Sequence, residues 1–289
     1  MILPQESLYI HIPFCLSKCT YCDFFSRPFN SVPDEYVSAL CNELKFRLSD
    51  VSSLKTVYLG GGTPSLLSDR QLKIISSCIP DITNVKEFTV EVNPDDVSER
   101  IFEMFEASNV TRISCGIQSL NDSVLKFCNR RADSECNLQA INLFEKYWEK
   151  SLSLDLISGL PYETDESFMK GLKTVTSSKA DHISLYSLTI EDETPLGKMI
   201  SSGKIDYDFD KSDEMWLKGR DFLESEGFSQ YEVSNFCKKG KESIHNSSYW
   251  NQKSYIGCGS GGCGTLYKAD GTAYRWTNTS NLQEYISFW

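Results

Sequence analysis

The sequence contains no run of about eighteen apolar residues, the length a helix needs to span a bilayer. Its opening residues, Met1 to Ser7, lack the basic, then apolar, then small-residue order of a secretion signal. Both shortages point to the cytoplasm. Positive charge is also scarce, with 29 Lys and Arg against 40 Asp and Glu, a formal charge of -11 and a pI near 4.9. Binding a phosphate backbone takes a basic stripe that releases counterions, so nucleic acid is excluded as a partner. The densest lysine patch, Lys238, Lys239 and Lys241, is broken by Gly240 and reads as a solvated turn. Internal repeats and low-complexity tracts are absent.

The chain does have enough material for a large core. It has 289 residues, of which 40% are apolar and 24% charged, and a chain of this size buries roughly three quarters of its unfolded surface. Eleven cysteines would suggest disulfides in a small secreted domain, but the number is odd, the chain is long, and three of them fall within eight residues. Metal ligation explains that crowding. The other eight, from Cys41 to Cys263, are scattered and read as small buried apolar residues.

Strand-like and helical segments alternate. Leu8 to Ile12 reads as a strand, Asp34 to about Arg47 as a helix, Thr56 to Leu59 as a strand and Asp69 to Cys78 as a helix. Strands over Glu87–Val92, Arg112–Cys115, Leu152–Ile157 and His182–Ser187 alternate with helices over Ser98–Ala107, about Asp133–Glu149 and Asp165–Ser177. Strands regularly separated by helices pair in parallel through right-handed crossovers. The expected fold is therefore α/β, a partial (β/α)6 TIM-like barrel with reactive groups at the strand C-termini. After Thr189 the texture changes, with a helix near Ser212–Glu226 and short strands near Tyr231, Tyr255 and Leu266. This predicts a core over residues 1–190 and a small α+β appendage over 191–289.

Cys15, Cys19 and Cys22 form Cys-x3-Cys-x2-Cys just past the first strand. Three thiolates can hold three corners of a [4Fe-4S] cubane and leave the fourth iron open. The alternative is structural zinc, with His11 or Asp23 as a fourth ligand. Gly60-Gly61-Gly62-Thr63-Pro64 follows the second strand, where glycines let backbone amides approach a charged ligand. It is not a dinucleotide fingerprint, since the G-x-G-x-x-G spacing is missing. Glu91 ends the third strand, where a carboxylate can take a ribose hydroxyl or an ammonium group. Asp155 lies within an apolar run, where a charge is costly unless the strand end opens on a site.

The segments Leu8-Tyr9-Ile10-His11-Ile12-Pro13-Phe14-Cys15 and Lys18-Cys19-Thr20-Tyr21-Cys22-Asp23-Phe24 closely resemble the radical SAM proteins related to oxygen-independent coproporphyrinogen III oxidase. Within that group the chain looks most like the HemW branch, the haem chaperones. The resemblance implies that the open iron chelates the amino and carboxylate groups of S-adenosylmethionine, and that one electron splits the sulfonium to give a 5'-deoxyadenosyl radical. It implies cosubstrate contacts at Tyr9, Tyr21, Gly61, Gly62, Thr63, Glu91, Gln118, Arg130 and Asp155, which suits a zwitterionic, cationic ligand. His245-Asn246-Ser247-Ser248-Tyr249-Trp250 matches the branch's HNxxYW element, which implies a haem site at His245, Tyr249 and Trp250, the imidazole being a competent iron ligand.

Oxidases of the family carry a fourth cysteine where this chain has Phe24, and a long segment before the first strand, so decarboxylation of coproporphyrinogen III is the lesser reading. A zinc-holding, non-radical binding protein is the reading of another class. Two further departures stand out. In Gly257-Cys258-Gly259-Ser260-Gly261-Gly262-Cys263-Gly264, Cys263 replaces the usual histidine, and the chain ends at Trp289, where family members continue into a helical domain. The implied partners are haem, haem-acceptor proteins and an electron donor such as a flavodoxin or ferredoxin. Any membrane association would come through the acceptor.

Overall fold

The structure is a computed structural model that describes residues 2–289. Six strands, β1 (Gln5–Ile12), β2 (Thr56–Gly61), β3 (Glu87–Val92), β4 (Arg112–Gln118), β5 (Ser151–Ser158) and β6 (His182–Ser187), pair in parallel in that order. Helices α1 (Asp34–Arg47), α2 (Asp69–Ser77), α3 (Glu99–Ala107), α4 (Asp122–Phe127), α5 (Ser134–Tyr147) and α6 (Asp165–Thr176) lie between consecutive strands. The result is the expected partial TIM-like barrel. Side-chain caps start several of the helices: Ser68 and Gln71 form a capping box on α2, and Asp133 receives the Cys136 amide on α5.

The strands have two unlike faces. Leu8, Ile10, Val57, Leu59, Phe88, Val90, Ile113, Leu152, Leu154, Ile183 and Leu185 are buried in the core with Leu40, Ile75, Phe105, Phe144 and Leu172 from the helices. The residues between them, among them Tyr9, His11, Thr56, Tyr58, Glu87, Glu91, Arg112, Ser114, Ser153, Asp155, His182 and Ser184, face the barrel interior, where they bond one another across strands. TIM-barrel interiors are ordinarily filled by Val, Ile and Leu. A lumen lined by hydroxyls, phenols and charges is instead built to receive something polar.

After β6 come α7 (Pro195–Ser201), α8 (Phe209–Ser225), β7 (Asn235–Cys237), α9 (Ile244–Trp250), β8 (Ser254–Cys258), β9 (Cys263–Tyr267), β10 (Ala273–Thr277) and α10 (Leu282–Phe288). Their strands continue the barrel's own sheet at both edges, β7 antiparallel to β6 and β8 parallel to β1. Among the described residues the sheet has eleven strands. The expected strand at Tyr231 is displaced, with short pairings at Ser229–Gln230 and Asn235–Cys237 on either side of it. Gly259 has φ +91, and a Cβ there would come within 2.3 Å of the His11 carbonyl oxygen, so a glycine lets the distal segment close onto β1. Among the described residues no helix is long and apolar enough to cross a membrane.

Glu87 joins β3 to α9. Its buried carboxylate accepts from Ser243 Oγ (2.9 Å) and from the amides of Ile244 (2.7 Å) and His245 (2.9 Å), at the positive end of α9. Glu87→Ala strands these donors and should lower unfolding free energy by roughly 2–4 kcal/mol in urea titration. A loss under about 0.5 kcal/mol would show that the contact does not hold α9 in place.

Candidate functional site

The cysteine loop is fastened on several sides. Arg27 and Phe29 amides bond to the Pro13 and Cys15 carbonyls, the Thr20 amide to the Cys128 carbonyl, and the Leu196 amide to the Thr20 carbonyl. Asn129 Nδ2 donates to the Lys18 carbonyl (2.9 Å) and His11 Nε2 bonds the Phe25 carbonyl (2.8 Å). Cys15, Cys19 and Cys22 remain partly accessible. Thr63 Oγ1 donates to Cys15 Sγ (3.5 Å) and Arg130 Nη1 to Cys19 Sγ (3.7 Å), contacts of the kind that tune a cluster's sulfurs. Among the described residues no three Cys, His, Asp or Glu are gathered as ligands of one metal ion. His11, one of the two side chains that could complete a zinc site, uses Nδ1 on Tyr9 (2.9 Å) as well as Nε2 on Phe25.

Of the candidate cosubstrate residues, Glu91 and Gln118 stand at the C-terminal ends of β3 and β4 and Thr63 just follows β2, whereas Tyr9 and Asp155 lie within β1 and β5, Tyr21 in the cysteine loop and Arg130 in the loop after α4. Thr63 Oγ1 also accepts from Asn93 Nδ2 (3.0 Å), which locks its rotamer toward the loop. Glu91 accepts from Tyr58 Oη (2.7 Å) and the Gly61 amide (3.1 Å), and Asp155 accepts from Ser114 and Ser153 hydroxyls (2.8 Å each). Burial pushes the Glu91 carboxyl up to about 7, against the pull of the Tyr58 bond. Burial likewise raises Asp155, opposed by its serine hydroxyls and the Arg112 cation. Arg130 Nη2 donates to the Gly116 carbonyl (2.5 Å). Its Nε, and Oε1 of Gln118, are buried without a partner in the protein. Gln118 sits at φ +67, a strained conformation at a strand end. These two unpaired polar atoms, one of them on the arginine that reaches Cys19, fit a ligand that offers both a donor and an acceptor.

The glycine turn works differently from the expectation. The Gly61 amide is spent on Glu91 and the Gly62 amide on the Ile12 carbonyl (2.9 Å), so neither is free to meet a ligand. Their need is steric. A Cβ on Gly61, at φ +110, would fall within 2.4 Å of the His11 ring, and one on Gly62 within 2.6 Å of the Phe14 carbonyl oxygen. These glycines let the second strand's end press against the cysteine loop.

The expected role of His245 as an iron ligand is overturned by its surroundings. The residue is 0% exposed, Nδ1 bonds Thr56 Oγ1 (2.8 Å) and Nε2 bonds Tyr249 Oη (2.7 Å). Burial holds its pKa down to about 3, so it is a neutral linker between β2 and α9. Tyr249 and Trp250 reach the surface, at 36% and 58% exposure. Tyr249 lines a cleft of about 330 Å³ with Tyr9, Tyr255, Phe24 and Phe25, where the distal segment meets the cysteine loop. A larger groove of about 810 Å³ lies elsewhere, between Ile2–Glu6 and Trp276, without this chemistry.

Several lumen residues escaped the sequence reading. Arg112 is 2% exposed, and its Nε and Nη1 have no protein partner. His182 bonds Ser153 Oγ and Tyr231 Oη (2.8 Å each), the same serine-or-threonine, histidine, tyrosine chain that His245 makes. The signal was the period of two: Glu87, Thr89 and Glu91, then Arg112 and Ser114, then Ser153 and Asp155, alternate with apolar residues.

Glu91 generates a pH effect of definite sign. Its folded pKa, about 7, lies above the ordinary 4.5, so the folded state holds the proton more tightly. Stability should therefore be highest below the ordinary value, fall as pH rises toward about 7 and then level off. Glu91→Gln should flatten this part of a Tm-against-pH profile and raise Tm at neutral pH; an unaltered slope would place the titration elsewhere. His245→Ala removes two buried hydrogen bonds and leaves a cavity, and should cost roughly 2–4 kcal/mol by denaturant unfolding. A change within about 0.5 kcal/mol would contradict the linker role.

Residues 9–175 match the family model for the radical SAM superfamily. The chain is 34% identical to the Heme chaperone HemW of Lactococcus lactis subsp. lactis, over 99% of this chain and 75% of that protein. It is 36% identical to the Heme chaperone HemW of Escherichia coli K12, over 98% of this chain and 76% of that protein. In fold it is similar to coproporphyrinogen III oxidase (HemN) from Escherichia coli, with a TM-score of 0.76 and 21% identity over 94% of this chain and 71% of that one. The chain belongs to the radical SAM superfamily, whose members bind a [4Fe-4S] cluster and S-adenosylmethionine, and within it to the family of the HemW heme chaperones.

Proposed function

We propose that the chain is a HemW-type haem chaperone. On this reading Cys15, Cys19 and Cys22 hold the [4Fe-4S] cluster. Tyr9, Tyr21, Thr63, Glu91, Gln118, Arg130 and Asp155, shaped by Gly61 and Gly62, hold S-adenosylmethionine at the strand ends. When bound, these groups supply a site-differentiated iron and a cationic cosubstrate. The protein's own part is then to orient the cosubstrate's carboxylate on Arg130 and to meet its positive charge with Glu91 and Asp155.

The observation that carries the haem reading is the aromatic cleft between the cysteine loop and α9. Tyr9, Phe24, Phe25, Tyr249 and Tyr255 offer flat apolar surface to a macrocycle, and Trp250 adds an exposed ring nearby in sequence. Residues 1–190 would then carry the cluster and cosubstrate, and residues 191–289 the second wall of the haem cleft. Phe24, 68% exposed, supports transfer over oxidation, since the oxidases place a fourth cysteine there. Haem-acceptor proteins and a flavodoxin- or ferredoxin-type electron donor complete the proposal.

Anaerobic reconstitution followed by haem titration tests it. The wild-type chain should hold about four iron and four sulfide, bind one haem and pass it to an apo-acceptor, while the Cys15, Cys19, Cys22 triple alanine variant loses the iron-sulfur chromophore. Catalytic turnover of coproporphyrinogen III would replace this reading with the oxidase one.

A further inference from the structure

If His245 is closed off, the iron of a bound haem needs a different protein ligand. We propose that Cys263 is that ligand, giving a thiolate-ligated haem in the cleft beside the cysteine loop. This rests on the haem-binding reading above and names the atom that would make the bond.

Cys263 opens β9 and lines the 330 Å³ cleft, whose volume lies within the range of small-molecule sites. The other donors in the cleft are committed. His11 uses both ring nitrogens, on Tyr9 and Phe25. The Tyr9 phenol bonds His11 and the Tyr249 phenol bonds His245, and burial holds both in the neutral form, which is a poor iron ligand. Tyr255 Oη accepts from Arg275 Nη1 (3.1 Å). Asp23, the one carboxylate among the lining residues, is exposed to water.

Cys263 has polar neighbours in the next strand. In the β9–β10 hairpin Cys263 is paired with Thr277, and Thr265 with Arg275. Thr277 Oγ1 lies 3.1 Å from the sulfur, and Arg275, two pairs along the same hairpin, is held by Thr265 Oγ1 (3.0 Å) and Tyr255 Oη. A hydroxyl beside the sulfur and a cation in the same hairpin compensate the negative charge it carries when bonded to iron. Aromatic rings from the cysteine loop on one side and from α9 and β8 on the other stand ready to cover the macrocycle. The step involves no redox change: the S–H bond breaks, the Fe–S bond forms, and the proton passes to solvent.

The experiment is a haem titration of the reconstituted full chain, read by difference absorption and by the ferrous carbonyl adduct, whose Soret band is strongly red-shifted under thiolate ligation. Wild type should show that signature. Cys263→Ser, with an unchanged melting temperature as the folding control, should lose it and bind haem roughly tenfold or more weakly. Cys263→His should restore binding with the spectrum of an imidazole ligand instead. An identical spectrum and affinity in Cys263→Ser overturns the ligand assignment and leaves the chaperone reading standing. No haem binding by wild type overturns both.

Discussion

A carboxylate that cannot reach water must be bonded, and Glu87 satisfies that demand at the N-terminus of α9. Much of the site's architecture follows from this one contact. With α9 pinned to the start of β3, His245 is drawn into the lumen against Thr56, and its other nitrogen fixes the Tyr249 ring. Tyr249 then forms one wall of the cleft whose other wall belongs to the cysteine loop. A second chain of the same type, Ser153 to His182 to Tyr231, ties the distal segment to β5 and β6. The two histidines act as buried splints, neutral because desolvation and the nearby Arg112 cation disfavour their charge.

The lumen collects opposite charges that are not directly paired. Glu91 and Asp155 rely on hydroxyls and an amide rather than on a cation in contact, and Arg112 has no bonded counter-ion. Such an arrangement costs stability in the absence of a guest and gains from one that brings positive charge to the carboxylates. The same economy explains the strained backbone at Gln118, which aims a side chain across the strand end where an ordinary strand residue would not.

Much of the barrel is legible in the sequence. β3 and β6 match the expected spans to the residue, because alternation and flanking breakers mark buried strands well. The cysteine loop was legible for the same reason, its chemistry being packed into contiguous residues. What escaped the reading depends on contacts between residues far apart in sequence. Ile244–Trp250 carries no element in the sequence reading, and forms a helix because Ser243 caps it and Glu87, more than 150 residues away, seats its first amides. For Arg112 the alternation marks only its face of the strand, and that this face is a closed interior depends on the assembled sheet. The roles of Gly61 and Gly62 were misjudged because the group they approach is the His11 ring and the Phe14 carbonyl, which only the assembled sheet brings near.

The pairing of β8 with β1 has a consequence for how the molecule is made. Gln5–Ile12, which leads directly into the cysteine loop, obtains its second neighbour only from Ser254–Cys258, so one flank of that strand stays unzipped until residues 254–258 have emerged from the ribosome. Contacts of such long sequence separation form slowly and late. The strand that feeds the cysteine loop is therefore locked on both sides only late, when the seam between β1 and β8 closes.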